Sequence, residues 1–257
     1  ETYFSSGINR ISIGSQSFKD EILKKIGRIH KSEDIFRAME NARGAGFKNI
    51  NLDLMLALPS QKFSDIKKSL EEIKKLDIPH LSYYSLILEE GTRLYEAHKK
   101  SPLDFPDEDE DRKMYHYVVR ELEKIGLQQY EISNFSKKGY ECRHNLTYWK
   151  LKDYLSFGLS ASSNIKNLRY RNFSDFKNYY VALDKGEKPI EFSETLNKTD
   201  RTNEFIMMGL RLRSGIDLGE FKERFEEDFL KLYESEIEKN IRLELIEVKE
   251  NKIYLTE

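Results

Sequence analysis

The densest group of chemistry-bearing residues in this 257-residue chain is His144-Asn145-Leu146-Thr147-Tyr148-Trp149. A neutral imidazole can ligate a metal, an amide beside it can orient the ring, and tyrosine and tryptophan offer broad apolar faces with one polar tip each. A lone histidine among aromatics is just as readily a packed, hydrogen-bonded side chain. Cys142, two residues earlier, is the only cysteine. It could add a soft ligand, although an inert buried thiol is the plainer reading. One cysteine excludes an intramolecular disulfide framework and by itself holds neither an iron-sulfur cluster nor a structural zinc. His30, His80, His98 and His116 show no HxxxH or HExxH spacing, and no Walker loop, GxSxG elbow or GxGxxG turn is present.

The elements that must position such residues follow from the apolar periodicity. Ile8 to Gly14 alternates and ends in Gly-Ser-Gln, the pattern of a buried strand running into a loop. A helix is predicted from Ser32 to Gly46, with Ile35, Ala38, Met39 and Ala42 on one face. The order then repeats: strand Asn49 to Leu58 stopped by Pro59, helix Ser64 to Leu76, and strand His80 to Leu88 closed by Glu89-Glu90-Gly91-Thr92. Three β/α units imply a parallel sheet. Three strands cannot close a barrel, so the expectation is the carboxyl-terminal part of a β/α barrel whose domain starts earlier, with an open sheet as the alternative.

Beyond these units, Asp107 to Ile125 reads as a strong helix, acidic in its first turn and ended by Gly126. Residues 128 to 172 are less periodic and rich in Tyr, Asn, Ser and Gly, as site-bearing loops tend to be. From Thr199 the texture becomes short helices: Thr199 caps Phe205 to Leu212, Asp217 caps the next, and Glu226 to Asn240 is a third. Strands Leu243 to Val248 and Lys252 to Leu255 complete an order similar to a winged helix. The expected organisation is 1–172 barrel part with extension, 173–198 linker, and 199–257 winged-helix-like domain.

The formal charge of -2 over the whole chain, and a net -6 over residues 217 to 257, argue against nucleic acid as a partner. With 39% hydrophobic and 34% charged residues, no run of bilayer-spanning length and no signal pattern at the first residues, a cytoplasmic protein is expected.

Gly7-Ile8-Asn9-Arg10-Ile11-Ser12-Ile13-Gly14-Ser15-Gln16-Ser17-Phe18 resembles the strand and loop of the oxygen-independent coproporphyrinogen III oxidases and their HemW-type haem-chaperone relatives in the radical S-adenosylmethionine superfamily. The resemblance continues through Asn51-Leu52-Asp53-Leu54-Met55 with Leu58-Pro59, through Leu81 to Leu86, and through Tyr130-Glu131-Ile132-Ser133-Asn134-Phe135; it is looser after residue 150. It implies a partial radical-SAM barrel and an S-adenosylmethionine site at Gln16, Arg28 and Asp53, with backbone near Met55 and Ile87 along the adenine. The types suit those roles: Asp53 can accept from ribose hydroxyls or the amino group, Gln16 can donate and accept, and Arg28 can fork onto a carboxylate. The plainer alternative makes Gln16 and Asp53 loop caps and Arg28 a surface charge. Ala57 and Ser60 depart from the family, where many members carry glycine.

His144 to Trp149 is similar to the HNxxYW signature that separates the haem chaperones from the oxidases. The resemblance makes His144 a ligand of haem iron, Tyr148 and Trp149 packing faces for the macrocycle, and Asn145 an orienting amide. Tyr154, Gly158, Ser160 and Ser163 fall where relatives have a glycine- and serine-rich turn. The family's CxxxCxxC loop, which holds a [4Fe-4S] cluster, is not in this sequence and is expected before residue 1, so the chain alone is expected not to cleave S-adenosylmethionine. The functions implied are haem trafficking to an apo-haemoprotein client, with oxidative decarboxylation of coproporphyrinogen III or a catalytically silent interaction domain as alternatives.

Overall fold

The computed structural model describes residues 1–256, and the chain divides into two compact units between Glu141 and Cys142. The first unit opens with a short helix α1 (Thr2–Ser5), followed by β1 (Arg10–Gln16), α2 (Asp20–Lys25), α3 (Ser32–Gly44), β2 (Asn49–Leu56), α4 (Phe63–Leu76), β3 (His80–Ser85), α5 (Arg93–Lys100), α6 (Glu108–Lys124) and the hairpin β4 (Gln128–Glu131) and β5 (Asn134–Ser136). The strands form one sheet in the order β1-β2-β3-β5-β4, the first three parallel and the hairpin antiparallel to β3.

Period-two alternation gives this sheet two unlike faces. On β2, Ile50, Leu52, Leu54 and Leu56 are buried with Ile35 and Met39 of α3, Ile66, Leu70 and Ile73 of α4, and Met114, Val118 and Leu122 of α6. Each such side chain contributes about 1.5–3 kcal/mol relative to exposure, which is why helices so richly charged on their outer sides stay docked. The intervening residues of the three parallel strands, Ser12, Gly14, Gln16, Asn51, Asp53, Met55, His80, Ser82 and Tyr84, belong to the opposite, largely polar face.

Helix ends agree with local chemistry. Asp107 caps α6 by accepting from the Glu110 amide (2.8 Å), and at α4 the Asp65 carboxylate accepts from the Lys62 amide (2.9 Å) while pairing with Lys19 (2.9 Å). Tyr130 to Phe135, read from sequence as loop, instead forms the β4–β5 hairpin; strands of four and three residues are too short for alternation to register.

The second unit begins with α7 (Arg143–Trp149), then β6 (Ser162–Ile165), β7 (Leu168–Asn172), α8 (Phe176–Asp184) and β8 (Ile190–Thr195), the strands forming an antiparallel sheet in the order β6-β7-β8. Next come α9 (Lys198–Gly209), β9 (Ile216–Asp217), α10 (Leu218–Phe225), α11 (Phe229–Leu232), α12 (Glu234–Arg242), β10 (Ile246–Lys249) and β11 (Lys252–Leu255), with sheet order β10-β11-β9. Phe205, Phe221, Phe225 and Phe229 interlock with Ile216, Ile237 and Ile253 as its core.

Several expected boundaries move. The division into units falls at 141/142 rather than 172, because β6 and β7 pair with β8 and so tie the segment before 172 to the segment after it. The cap of α9 is Asn197 rather than Thr199: its side chain accepts from the Asp200 amide (3.0 Å), and the Asp200 carboxylate accepts from the Asn197 amide (3.2 Å). The single helix expected over 226–240 is two, with Glu226 at φ 57° ending α10 and Asp228 capping α11. Among the described residues no helix is long and apolar enough to cross a membrane.

Candidate functional site

The carboxyl ends of β1 and β2 bring Gln16, Arg28 and Asp53 to one place. Gly14 and Asp53 are register partners on adjacent strands, and Arg28, in the loop after α2, donates from Nη2 to the Gly14 carbonyl oxygen (2.8 Å). A Cβ at Gly14 would lie 3.0 Å from that Nη2 and 3.0 Å from Nε2 of Gln16, so the bare backbone is what lets the guanidinium and the amide gather there. Gln16 ends β1 at φ 62°, beside the register shift between Gly14 and Gln16, and its Oε1 is buried with no hydrogen-bond partner. A buried acceptor left open is costly unless something supplies the donor.

Asp53 is held by both oxygens: Oδ1 accepts from Nδ2 of Asn51 (2.7 Å) and Oδ2 from the Ser12 hydroxyl (3.1 Å). Each carboxylate oxygen retains acceptor capacity for a ligand. Sequence reasoning did not single out Tyr84, the register partner of Met55. Burial first, then the Asp53 carboxylate, raises the Tyr84 phenol above its ordinary pKa, with Arg28 opposing. Tyr84, Asp53 and Arg28 therefore share one electrostatic environment, and the signal was available as the period-two partner of Ser82 and His80. Met55 is half-buried and its carbonyl oxygen accepts from Nε2 of Gln61 (3.0 Å). Ile87, beyond β3, is 78% exposed.

After β2 the chain turns through Ala57 at φ 53° and Ser60 at φ 60°. Both non-glycine residues keep the left-handed backbone that glycine would adopt without strain. Ser60 is also tied down, its hydroxyl accepting from Lys25 Nζ (2.5 Å).

In the second unit the His144 segment is helical rather than a loop. His144 and Tyr148 are one turn apart on α7, with the Tyr148 hydroxyl 3.1 Å from Nε2 of His144 and their rings edge to face at 4.8 Å; Tyr148 in turn meets Tyr154 at 4.7 Å. His144 is exposed, and Asn145 is half-buried. Trp149 follows Tyr148 directly and so leaves the helix on a different face. Its ring lies under the Arg211 guanidinium at 4.4 Å, it lines a cavity of about 260 Å³ with Phe205, Leu212 and Ile216, and its Nε1 is buried without a partner. The structure thus joins His144 with Tyr148 and places Trp149 apart from them. Cys142, the N-cap residue of α7, is buried. Ser163 on β6 accepts from the Ser156 amide (2.9 Å), the carbonyl of Gly158 accepts from Asn172 (2.9 Å), and Ser160 has φ 55°.

Comparison with known proteins gives two family models, one described as the radical SAM superfamily over residues 1–73 and one as the HemN C-terminal domain over residues 196–257. A Lactococcus lactis subsp. lactis protein named heme chaperone HemW is 37% identical over 252 residues, covering 98% of this chain and 66% of the relative. Its Bacillus subtilis namesake is 37% identical over 251 residues with the same shares, and that of Escherichia coli is 36% identical over 219 residues, 85% of this chain and 57% of the relative. The chain thus spans just under two thirds of the length of the first two. Among solved structures, coproporphyrinogen III oxidase (HemN) from Escherichia coli, titled a radical SAM enzyme, superposes with a TM-score of 0.79 at 21% identity over 98% of this chain and 62% of that one, which shows the fold. With relatives at this identity along nearly its whole length and a family model at either end, the chain belongs to the HemW-type family of radical SAM proteins.

Proposed function

We propose that the full-length protein is a haem chaperone, binding haem through the His144 segment and passing it to an apo-haemoprotein client. The observation that carries this reading is the exposed His144 imidazole on α7, with Tyr148 one turn away. The names of the HemW relatives point the same way. The likeness to HemN is a likeness of fold and does not choose between chaperone and oxidase.

In this reading His144 ligates the iron through a neutral nitrogen and Tyr148 packs against the macrocycle edge, while Asn145 orients the imidazole. Trp149, clamped beneath Arg211, supports α7 from within the unit instead of meeting the macrocycle.

S-adenosylmethionine fits the first unit's site. Gln16 supplies an open buried acceptor, Gly14 lets the Gln16 amide and the Arg28 guanidinium gather beside its backbone, Arg28 offers a carboxylate partner, and Asp53 offers two pre-held oxygens for hydroxyl or ammonium donors. Bound there, the molecule supplies a sulfonium cofactor to the whole protein. A [4Fe-4S] cluster does not fit this chain's own residues, because Cys142 is its only cysteine.

The test is a haem titration followed by absorbance on the chain and on His144→Ala. A saturable Soret shift that the variant loses supports the reading, and identical binding by both removes His144 as the ligand.

A further inference from the structure

The polar face of the first unit's sheet contains a chain of hydrogen bonds whose direction can be worked out from its members. Nδ2 of Asn51 lies 2.7 Å from Asp53 Oδ1 and 2.6 Å from the Ser12 hydroxyl. Turning that amide over would set its oxygen against the Asp53 carboxylate, two acceptors with no proton between them, so the amide nitrogen must face Asp53. The Asn51 oxygen then faces Nδ1 of His80 at 2.6 Å, from which it can only accept, while the Ser82 hydroxyl, 3.3 Å away, has its shorter bond to Asn134 Oδ1 at 2.8 Å. His80 must therefore carry its proton on Nδ1.

His80 is fully buried, and burial, with a smaller push from Arg10, lowers its pKa to about 3, so the ring is neutral at ordinary pH. A neutral ring protonated on Nδ1 has a lone pair on Nε2, and the Tyr130 hydroxyl stands 2.9 Å from that nitrogen, where it donates. The bonds run one way across three strands: Tyr130 O–H to His80 Nε2, His80 Nδ1–H to Asn51 Oδ1, and Asn51 Nδ2–H to Asp53 Oδ1.

We infer that Tyr130, His80 and Asn51 are positioning residues: a one-directional relay that fixes the amide of Asn51 and through it the attitude of the Asp53 carboxylate toward its ligand. Taking that ligand as S-adenosylmethionine rests on the reading given above. The relay itself rests on the bond geometry, together with the neutrality of a ring buried this deeply. A histidine placed only to fill space would have no need of two different partners that demand one tautomer.

The experiment uses the whole chain, isotopically labelled. Long-range proton–nitrogen correlation of the histidine rings is expected to show His80 as the Nδ1–H tautomer, unchanged between about pH 5 and 8 where a free histidine titrates. The side-chain amide signals of Asn51 are expected to move in Asp53→Asn, which removes the carboxylate that accepts from its Nδ2. Tyr130→Phe, which keeps the ring and removes the terminal donor, is expected to shift the His80 Nε2 resonance and to weaken S-adenosylmethionine binding roughly two- to tenfold by calorimetry, with the circular dichroism unchanged. An Nε2–H tautomer, a His80 titration inside that pH range, or a Tyr130→Phe variant with unmoved resonances and unmoved affinity overturns the relay. If the resonances behave as expected while Asp53→Asn binds S-adenosylmethionine as tightly as the parent, the relay stands and the ligand assigned to Asp53 is what fails.

Discussion

Replacing Ala57 by glycine is expected to stabilise the first unit, although it removes a methyl group and adds flexibility. Ala57 holds φ at 53° in the turn that leaves β2. A side chain in this region crowds the following carbonyl and costs roughly 1–2 kcal/mol, a strain glycine does not feel. Against that relief stands the larger freedom glycine gains in the unfolded chain, about 0.4–1 kcal/mol. The net is a gain of about 0.5–1 kcal/mol. Urea unfolding followed by far-ultraviolet circular dichroism reads it as a midpoint raised by roughly 0.4 M at unchanged slope, taking a slope near 2 kcal/mol/M. Ala57→Val, branched at the strained carbon, must move the midpoint the other way. Ser60→Gly relieves the same strain at φ 60° but deletes the hydroxyl that accepts from Lys25, so its gain is smaller. A midpoint for Ala57→Gly at or below the parent's would refute the argument that this turn stores backbone strain.

Other consequences follow from single contacts. Because the folded state holds His80 neutral down to about pH 3 while the unfolded chain protonates it near 6.5, His80 stabilises the fold fully above the unfolded value. That contribution is lost as pH falls from about 6.5 toward 3, at about 1.4 kcal/mol per pH unit, and urea midpoints of His80→Asn should lack this part of the slope. Gly215, at φ 68°, has no room for a side chain, since a Cβ would meet the Ile253 carbonyl oxygen and sit 2.8 Å from the Tyr254 ring; Gly215→Ala is expected to cost upwards of about 3 kcal/mol, seen as early melting of the second unit. Tyr148→Phe keeps the ring beside His144 but removes the hydroxyl that competes for Nε2, so haem affinity in the titration should hold or rise by a few fold; a large loss would mean that the hydroxyl itself binds haem.

The parts of the fold legible in the sequence are those where one rule acts over many residues. Ile35, Met39 and Ala42, or Ile66, Leu70 and Ile73, repeat at helical spacing because the same sheet face buries them all. The helices α3, α4 and α6 and the three parallel strands were readable for that reason, and Asp217, whose side chain accepts from the Gly219 and Glu220 amides, was readable as a cap. The β4–β5 hairpin, β6 to β8 and the helical turn at His144 were not. Their strands are three to six residues long, and their order is set by pairing with distant segments rather than by local pattern. The S-adenosylmethionine candidates came from the family resemblance; composition and spacing alone left Gln16 and Asp53 as loop caps.

The same two-faced sheet explains why His80 looked chemically silent. On β2 the apolar positions Ile50, Leu52, Leu54 and Leu56 announce a core, and the residues between them, Asn51 and Asp53, would ordinarily be read as the solvent side. Asn51 and His80 are buried all the same, so this face has to satisfy its polar groups among themselves. Ser12, Asn51, Asp53, His80, Ser82, Tyr130 and Asn134 do so through bonds that cross from β1 to the hairpin. Partners on five different strands share no sequence spacing, so no motif could reveal them. A hydrogen-bonded network with buried amides and a buried ring at its centre holds one arrangement, because each of them must face one way for its neighbours to be paired. Oε1 of Gln16 stays open beside this network, and in the function proposed above it is a ligand, rather than another side chain, that completes it.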